Sequence, residues 1–283
     1  MTRTSRRATL MMGGAALASV PMRGLGQVPF RLGLTPVFLD NDAVIIDRLR
    51  AALSSAMGRE IALVQRRTYA EVTGLLLSDA LDAAWLCGYP YLQHAGNLEL
   101  LAVPIWRGRP LYRSYLIVGE TAPFESLGDL RGETHAFSDP DSNSGYLVTA
   151  TDLIALGARP ETWFSRSIFT YGHRNVVRAV ADGLVVSGSV DGYVWEALAR
   201  VEPALTRRTR VIATSEWLGF PPICVRRDAA GSAPAQALRR ALIGLSGTRP
   251  GRAALEALQL DGFTGAQAEL YDGIARRMRL LER

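Results

Sequence analysis

The strongest constraint on this chain is a rhythm: short β-type apolar runs alternate with helical patterns along most of its length. That order requires a mostly parallel sheet flanked by helices, an α/β architecture. Apolar runs at 30–34, 61–64 and 82–86 are separated by helical patterns at 42–57 and 69–78, and a short helix is expected at 90–95. Then two β-rich runs, 100–105 and 111–118, follow each other across the turn Arg107-Gly108-Arg109-Pro110, a candidate crossing between lobes. The rhythm restarts with strands expected at 134–137, 163–169 and 184–187 and helices at 144–156, 174–181 and 193–199. A strand at 210–214, the break Phe220-Pro221-Pro222 and a strand at 223–225 mark a second change of environment. Three helical stretches, 233–245, 249–257 and 266–281, end the chain. The simplest division places 27–110 in a first lobe and 111–214 in a second, with 215–283 returning to the first. Such a division leaves a ligand cleft between two sheets joined by two crossovers.

At 283 residues, 48% of them hydrophobic and 21% charged, the chain can bury a large core and is no disordered polyelectrolyte. Every basic side chain is arginine, so a Walker phosphate loop, a Schiff-base lysine and a Ser-Lys nucleophile pair are excluded. His94, His135 and His173 lie far apart, and neither a Cys-x-x-Cys nor a His-Glu-x-x-His spacing occurs. No metal site and no cofactor are therefore expected. The net charge of +5 is concentrated at one end, because residues 1–26 carry Arg3, Arg6, Arg7 and Arg23 and no acid, leaving 5 − 4 = +1 for the rest. A nearly neutral body without an aromatic-interleaved basic stripe argues against a nucleic-acid partner.

That basic end reads as an export signal over residues 1–26. Ser5-Arg6-Arg7 with Leu10 resembles a twin-arginine motif, although Thr9 stands where the motif prefers phenylalanine. The apolar run 8–20 is too short to span a bilayer core of about 30 Å. Gly24 and Gly26 suit cleavage before Gln27, which implies a mature periplasmic protein. In that oxidising compartment Cys87 and Cys224, both in apolar strand-like contexts, are either a disulfide or two buried small hydrophobes.

The most informative stretch is Phe137-Ser138-Asp139-Pro140-Asp141-Ser142-Asn143-Ser144-Gly145, which leaves a strand, turns at Asp-Pro and enters a helix. Ser142 and Ser144 there are either plain capping residues or, with the free N–H groups and positive end of the helix, part of an anion site.

In this segment, Ser142-x-Ser144-Gly145 after Phe137-x-Asp139-Pro140 resembles the phosphate/phosphite/phosphonate-binding proteins of ABC importers, which have the type II periplasmic binding fold. The resemblance extends to Thr68-Tyr69, to Asp82-Ala83-Ala84-Trp85-Leu86 with Tyr91 and Ala95, and to Ser126-Leu127-x-Asp129-Leu130-x-Gly132. It continues through Gly172-His173, Ala179-Val180-x-x-Gly183 and Val190-Asp191-x-Tyr193-Val194-Trp195-Glu196. It implies that Ser142, Asn143 and Ser144 hold an anionic head group, with hydroxyls from Tyr69 and Tyr91 and a ring N–H from His173. Tyr89 competes with Tyr91 for its role, and an acidic contact to the ligand falls on Asp191 or Glu196.

The function so implied is capture of a small oxyanion such as phosphate, phosphite or a phosphonate by a monomeric receptor, which delivers it to an inner-membrane permease. Two other classes remain: a ligand-binding subunit of a membrane sensor, and an enzyme on the same fold. The enzyme class lacks support, since His173 has no sequence-adjacent acid–base partner.

Overall fold

A computed structural model describes residues 28–36, 43–265 and 267–282. The expected export signal over 1–26 and the cleavage point before Gln27 lie outside the described residues. Strand β1 (Phe30–Leu34) is buried apart from Arg31, as a strand covered on both faces must be. It pairs in parallel with β2 (Ile61–Gln65) and β3 (Ala83–Trp85). After β4 (Leu98–Ile105) the chain crosses through the short β5 (Leu111–Tyr112) and enters a second sheet at β6 (Ser114–Gly119). There β7 (Thr134–Phe137) lies parallel to both β8 (Arg166–Phe169) and β9 (Ser187–Asp191). β6 pairs antiparallel with β9, and β10 (Thr209–Thr214) antiparallel with β6. The return passes through β11 (Leu218–Gly219), which pairs antiparallel with β5, so the two crossings form one two-stranded ribbon. β12 (Ile223–Arg226) then inserts antiparallel between β3 and β4, and β13 (Gly262–Thr264) adds to the β4 edge. The sheet orders are β13-β4-β12-β3-β1-β2 and β10-β6-β9-β7-β8.

Several boundaries differ from the sequence reading for identifiable reasons. The run 111–118 is two strands in different sheets, because β5 pairs with β11 while β6 pairs with β9 and β10. The strand expected at 184–187 begins only at Ser187: Gly183 turns at φ +70° and Leu184 is exposed. β11 and β13, two and three residues long, are too short to leave a periodic signal. The helices Ala233–Ile243 and Arg249–Leu258 pack on the helix Ala43–Met57 of the first sheet's layer. The last helix, Asp272–Leu281, lies instead between the helix Gly88–Gln93 and the helix Val148–Ala155. Its Arg277 ion-pairs with Asp152 at 2.7 Å and Glu216 at 2.6 Å, tying the terminus to the second lobe as well as to the returning chain.

Packing of the helix His173–Ala181 on the second sheet fixes where His173 sits. Gly188, the second residue of β9, makes that contact possible, since a Cβ there would lie 2.5 Å from Val176 Cγ1 and 3.1 Å from Val180 Cγ2. Gly188→Val should therefore push the helix off the sheet and destabilise the fold by about 1–3 kcal/mol, read as a lowered denaturation midpoint. An unchanged midpoint would show that this helix does not depend on the close approach.

Candidate functional site

The segment after β7 is organised by its own polar side chains before anything else touches it. Asp139 Oδ1 accepts the N–H of Asp141 at 2.8 Å, closing the Asp-Pro turn. Ser142 is the N-cap: its Oγ accepts the Gly145 N–H at 2.9 Å. The helix opens with a single π turn, Asn143–Leu147, before the α-helix Val148–Ala155. Gly145 is required by close approach, because a Cβ on it would lie 1.8 Å from Ser138 Oγ. Of the first-turn N–H groups, that of Ser144 has no partner among the described residues.

Residues far apart in the chain converge on this helix start. Tyr69, first residue of the helix Tyr69–Leu77, donates its N–H to Asp139 Oδ2 at 3.1 Å. Asn143 donates its N–H to Cys87 Sγ at 3.3 Å, and its side-chain Nδ2 to Tyr112 Oη at 2.8 Å. Ser114 Oγ donates to the Ser144 carbonyl at 2.6 Å. Tyr69 Oη and His173 Nε2 are 3.1 Å apart, joining the two lobes across the site.

The direction of that last bond follows from the other ring nitrogen. His173 Nδ1 receives the Asp191 N–H at 3.1 Å, and a backbone N–H is always a donor, so Nδ1 is the acceptor. Burial holds the ring neutral, lowering its pKa to about 3, and its one proton is then on Nε2. His173 therefore donates to Tyr69 Oη, and the phenol keeps its own proton for a further acceptor. His135 is fixed in the opposite tautomer. Ser187 Oγ donates to the Thr134 carbonyl, so it accepts from His135 Nδ1, and Nε2 accepts from Ser189 Oγ at 2.9 Å.

No arginine hydrogen-bonds or ion-pairs with residues 138–147 among those described; the carboxylates here are the buried Asp139, the half-buried Asp141 and, from the end of β9, the buried Asp191. Burial raises the pKa of both, that of Asp191 to about 7 against two stabilising N–H bonds from Val194 and Tyr193. Burial likewise raises the Tyr69 phenol well above its ordinary value, so it stays protonated, and the Cys87 thiol to about 11. Two buried atoms at the site have no hydrogen-bond partner among the described residues: Ser138 Oγ and Asn143 Oδ1.

Tyr69, Ser142, Asn143, Ser144 and His173 are thus brought together. Tyr91 packs its ring 5.2 Å from Tyr271, and after burial its phenol is raised by Cys224 and Glu99. The Tyr89 phenol, by contrast, is raised by burial and then by Asp141 and Tyr146. Asp191 caps the helix Gly192–Val201 through Oδ1, with its backbone N–H on His173. Glu196 is engaged by Arg107 at 2.9 Å and Tyr115 Oη at 3.1 Å. Cys87 and Cys224 are both free, buried thiols. Sequence reasoning passed over Tyr112, Cys87 and Ser114 as site residues; Tyr112 stands on a two-residue crossing strand, with no local motif to mark it.

A family model described as "ABC transporter, phosphonate, periplasmic substrate-binding protein" matches residues 32–271. Among solved structures, a binding protein component of an ABC phosphonate transporter from Pseudomonas aeruginosa is similar with a TM-score of 0.81 at 22% identity, over 88% of this chain and 85% of that one. PhnD1 from Prochlorococcus marinus, in complex with methylphosphonate, is similar with a TM-score of 0.79 at 18% identity, over 89% and 98%. XAC2383 from Xanthomonas citri, bound to ATP, gives 0.69 at 19% identity, over 89% and 98%. At these identities the structural likeness establishes the fold, a two-lobe type II periplasmic binding protein architecture.

The tautomers have a direct readout. Nitrogen-15 spectra at pH 5 should show two neutral imidazoles, His173 protonated on Nε2 and His135 on Nδ1. Because free imidazoles protonate below about 6.5 and these resist until about 3, both contribute stability that is lost as pH falls from about 6.5 toward 3. Asp191, raised to about 7, acts in the opposite sense, favouring the fold as pH falls below 7. A His173 that is charged at pH 5, or that carries its proton on Nδ1, would contradict the assigned bond to Tyr69.

Proposed function

The chain belongs to the family of periplasmic phosphonate-binding proteins of ABC transporters, and from that premise we propose that it captures a small oxyanion, a phosphonate, phosphite or phosphate, at the helix start Ser142-Asn143-Ser144-Gly145. The family is one of transporter binding proteins rather than enzymes, and its members hand their ligand to a membrane permease. The supporting observation is a buried helix N-terminus with an unpartnered Ser144 N–H, faced from the other lobe by a tyrosine whose own proton is uncommitted. Dipolar N–H and O–H donors suit a tetrahedral oxyanion without a formal countercharge.

In this reading Ser142, Asn143 and Ser144 cradle the head group, Tyr69 donates from the first lobe, and His173 orients Tyr69. Turning the Asn143 amide over lets Tyr112 donate to Oδ1, which removes the orphaned acceptor and points the NH2 group at the anion. Of Tyr89 and Tyr91, Tyr89 is the better candidate for the second hydroxyl, and Asp191 contributes by holding His173. Residues 27–110 with 215–283, and 111–214, are the two lobes, which close on the ligand as a monomer about the β5–β11 ribbon. Export by a twin-arginine route, on Arg6-Arg7, is part of the same proposal.

Titration calorimetry of the mature protein with methylphosphonate, phosphite and phosphate tests it. Ser144→Ala and Tyr69→Phe should each weaken binding about tenfold or more, since a hydrogen bond to a charged group is worth roughly 1.5–3 kcal/mol. Ser142→Ala should in addition lower stability by about 1 kcal/mol through loss of the cap. Full affinity in the Ser142→Ala, Ser144→Ala double variant would place the ligand elsewhere.

A further inference from the structure

A second feature of the cleft lies outside this helix start. A cavity of about 350 Å³ is lined from the first lobe by Pro36, Gln65, Arg66 and Arg67 and from the second by Thr170, Tyr171 and Asn175. Its walls are the segments that lead into the Tyr69–His173 pair: Arg67 precedes Tyr69 by two residues, and Tyr171 precedes His173 by two. Two residues of chain span at most about 7 Å, so the cavity borders the buried Tyr69–His173 pair from its outer side. Tyr171 is held in the left-handed region at φ +52°, and the Arg67 guanidinium lies 5.4 Å from the centre of its ring, bridging the two walls of an open cavity.

Arg66 donates Nη1 to the Gln65 carbonyl at 2.7 Å and Arg67 stacks on Tyr171, and both side chains are exposed. Neither Arg66 nor Arg67 forms an ion pair among the described residues. The acid nearest in sequence, Glu71, is taken up by the N–H and hydroxyl of Thr68 in a capping box. The helix-start site, meanwhile, offers neutral donors and two buried carboxylates. Formal positive charge is thus placed beside the Tyr69–His173 pair, not at the helix start.

We propose that this cavity is a subsite for a second anionic group, so that the preferred ligand is a phosphonate whose carbon chain carries a carboxylate or a further phosphoryl group within reach of Arg66 and Arg67. The proposal rests on the head-group reading above and extends it to the ligand's other end. A guanidinium presents a planar fork that matches a carboxylate or phosphoryl group with paired hydrogen bonds. Thr170 and Asn175 line the opposite wall with further polar groups.

Calorimetry with three probes, methylphosphonate, phosphonoacetate and the uncharged-tail analogue phosphonoacetamide, separates the claims. The wild type should bind phosphonoacetate about tenfold or more tighter than either of the others, the gain expected of charge-assisted bonds. The Arg66→Gln, Arg67→Gln double variant should lose that preference while keeping its affinity for methylphosphonate. Equal binding of all three probes by the wild type overturns the subsite but leaves the head-group site standing. A preference that survives in the double variant overturns it too, as does an equal weakening of all three probes, which would mean long-range attraction only. Failure of every probe to bind the wild type overturns the phosphonate reading and this one with it.

Discussion

Everything at the cleft depends on one buried hydrogen bond, from His173 Nε2 to Tyr69 Oη at 3.1 Å. It joins a helix of the first lobe to a helix of the second, and its polarity is set one step back, where the Asp191 backbone N–H occupies His173 Nδ1. Because the ring is held neutral by burial, the bond has a single direction. The consequence is a phenol that accepts from within the protein and donates outward, with its pKa raised well above the ordinary value. A chain of three donors, amide to imidazole to phenol, so ends at the place where the proposed ligand is bound.

The second constraint is electrostatic. The proposed anion site, lined by Ser142, Asn143 and Ser144 beside the buried carboxylates of Asp139 and Asp191 and with no arginine hydrogen-bonded to it, relies on dipoles alone. Such a site is discriminating because its donors are rigid: the Asp139 turn, the Ser142 cap and the fit of Gly145 against Ser138 leave the backbone little freedom. On the proposed function no full countercharge holds the ligand, which suits a receptor that must release its cargo. Positive charge is kept at Arg66 and Arg67, outside the Tyr69–His173 pair.

How far the sequence could be read follows from where each signal lies. The alternating pattern of strands and helices is local, so the two sheets and most of their elements were legible. The turn and the cap of the segment 137–145 were legible too, since both are fixed by neighbours a few residues away, whereas the contact of Gly145 with Ser138 was not. The site itself is not local: Tyr69 meets Asp139 and His173 across 70 and 104 residues, and only a family resemblance could bring them together. Tyr112 and Cys87, which hold Asn143 from behind, left no signal because neither has a periodic or motif context of its own. Tyr89 and Tyr91 flank one proline and are indistinguishable until the helix Gly88–Gln93 assigns them to different surroundings.

The most direct test of the central claim is a crystal structure of the mature protein grown with methylphosphonate. The phosphonate oxygens should lie within hydrogen-bond distance, about 2.7–3.2 Å, of the Ser144 N–H, the Ser144 hydroxyl and Tyr69 Oη, with Tyr69 still paired to His173. A phosphonate bound away from the helix start, or a cleft in which Tyr69 turns from both His173 and the ligand, would contradict it.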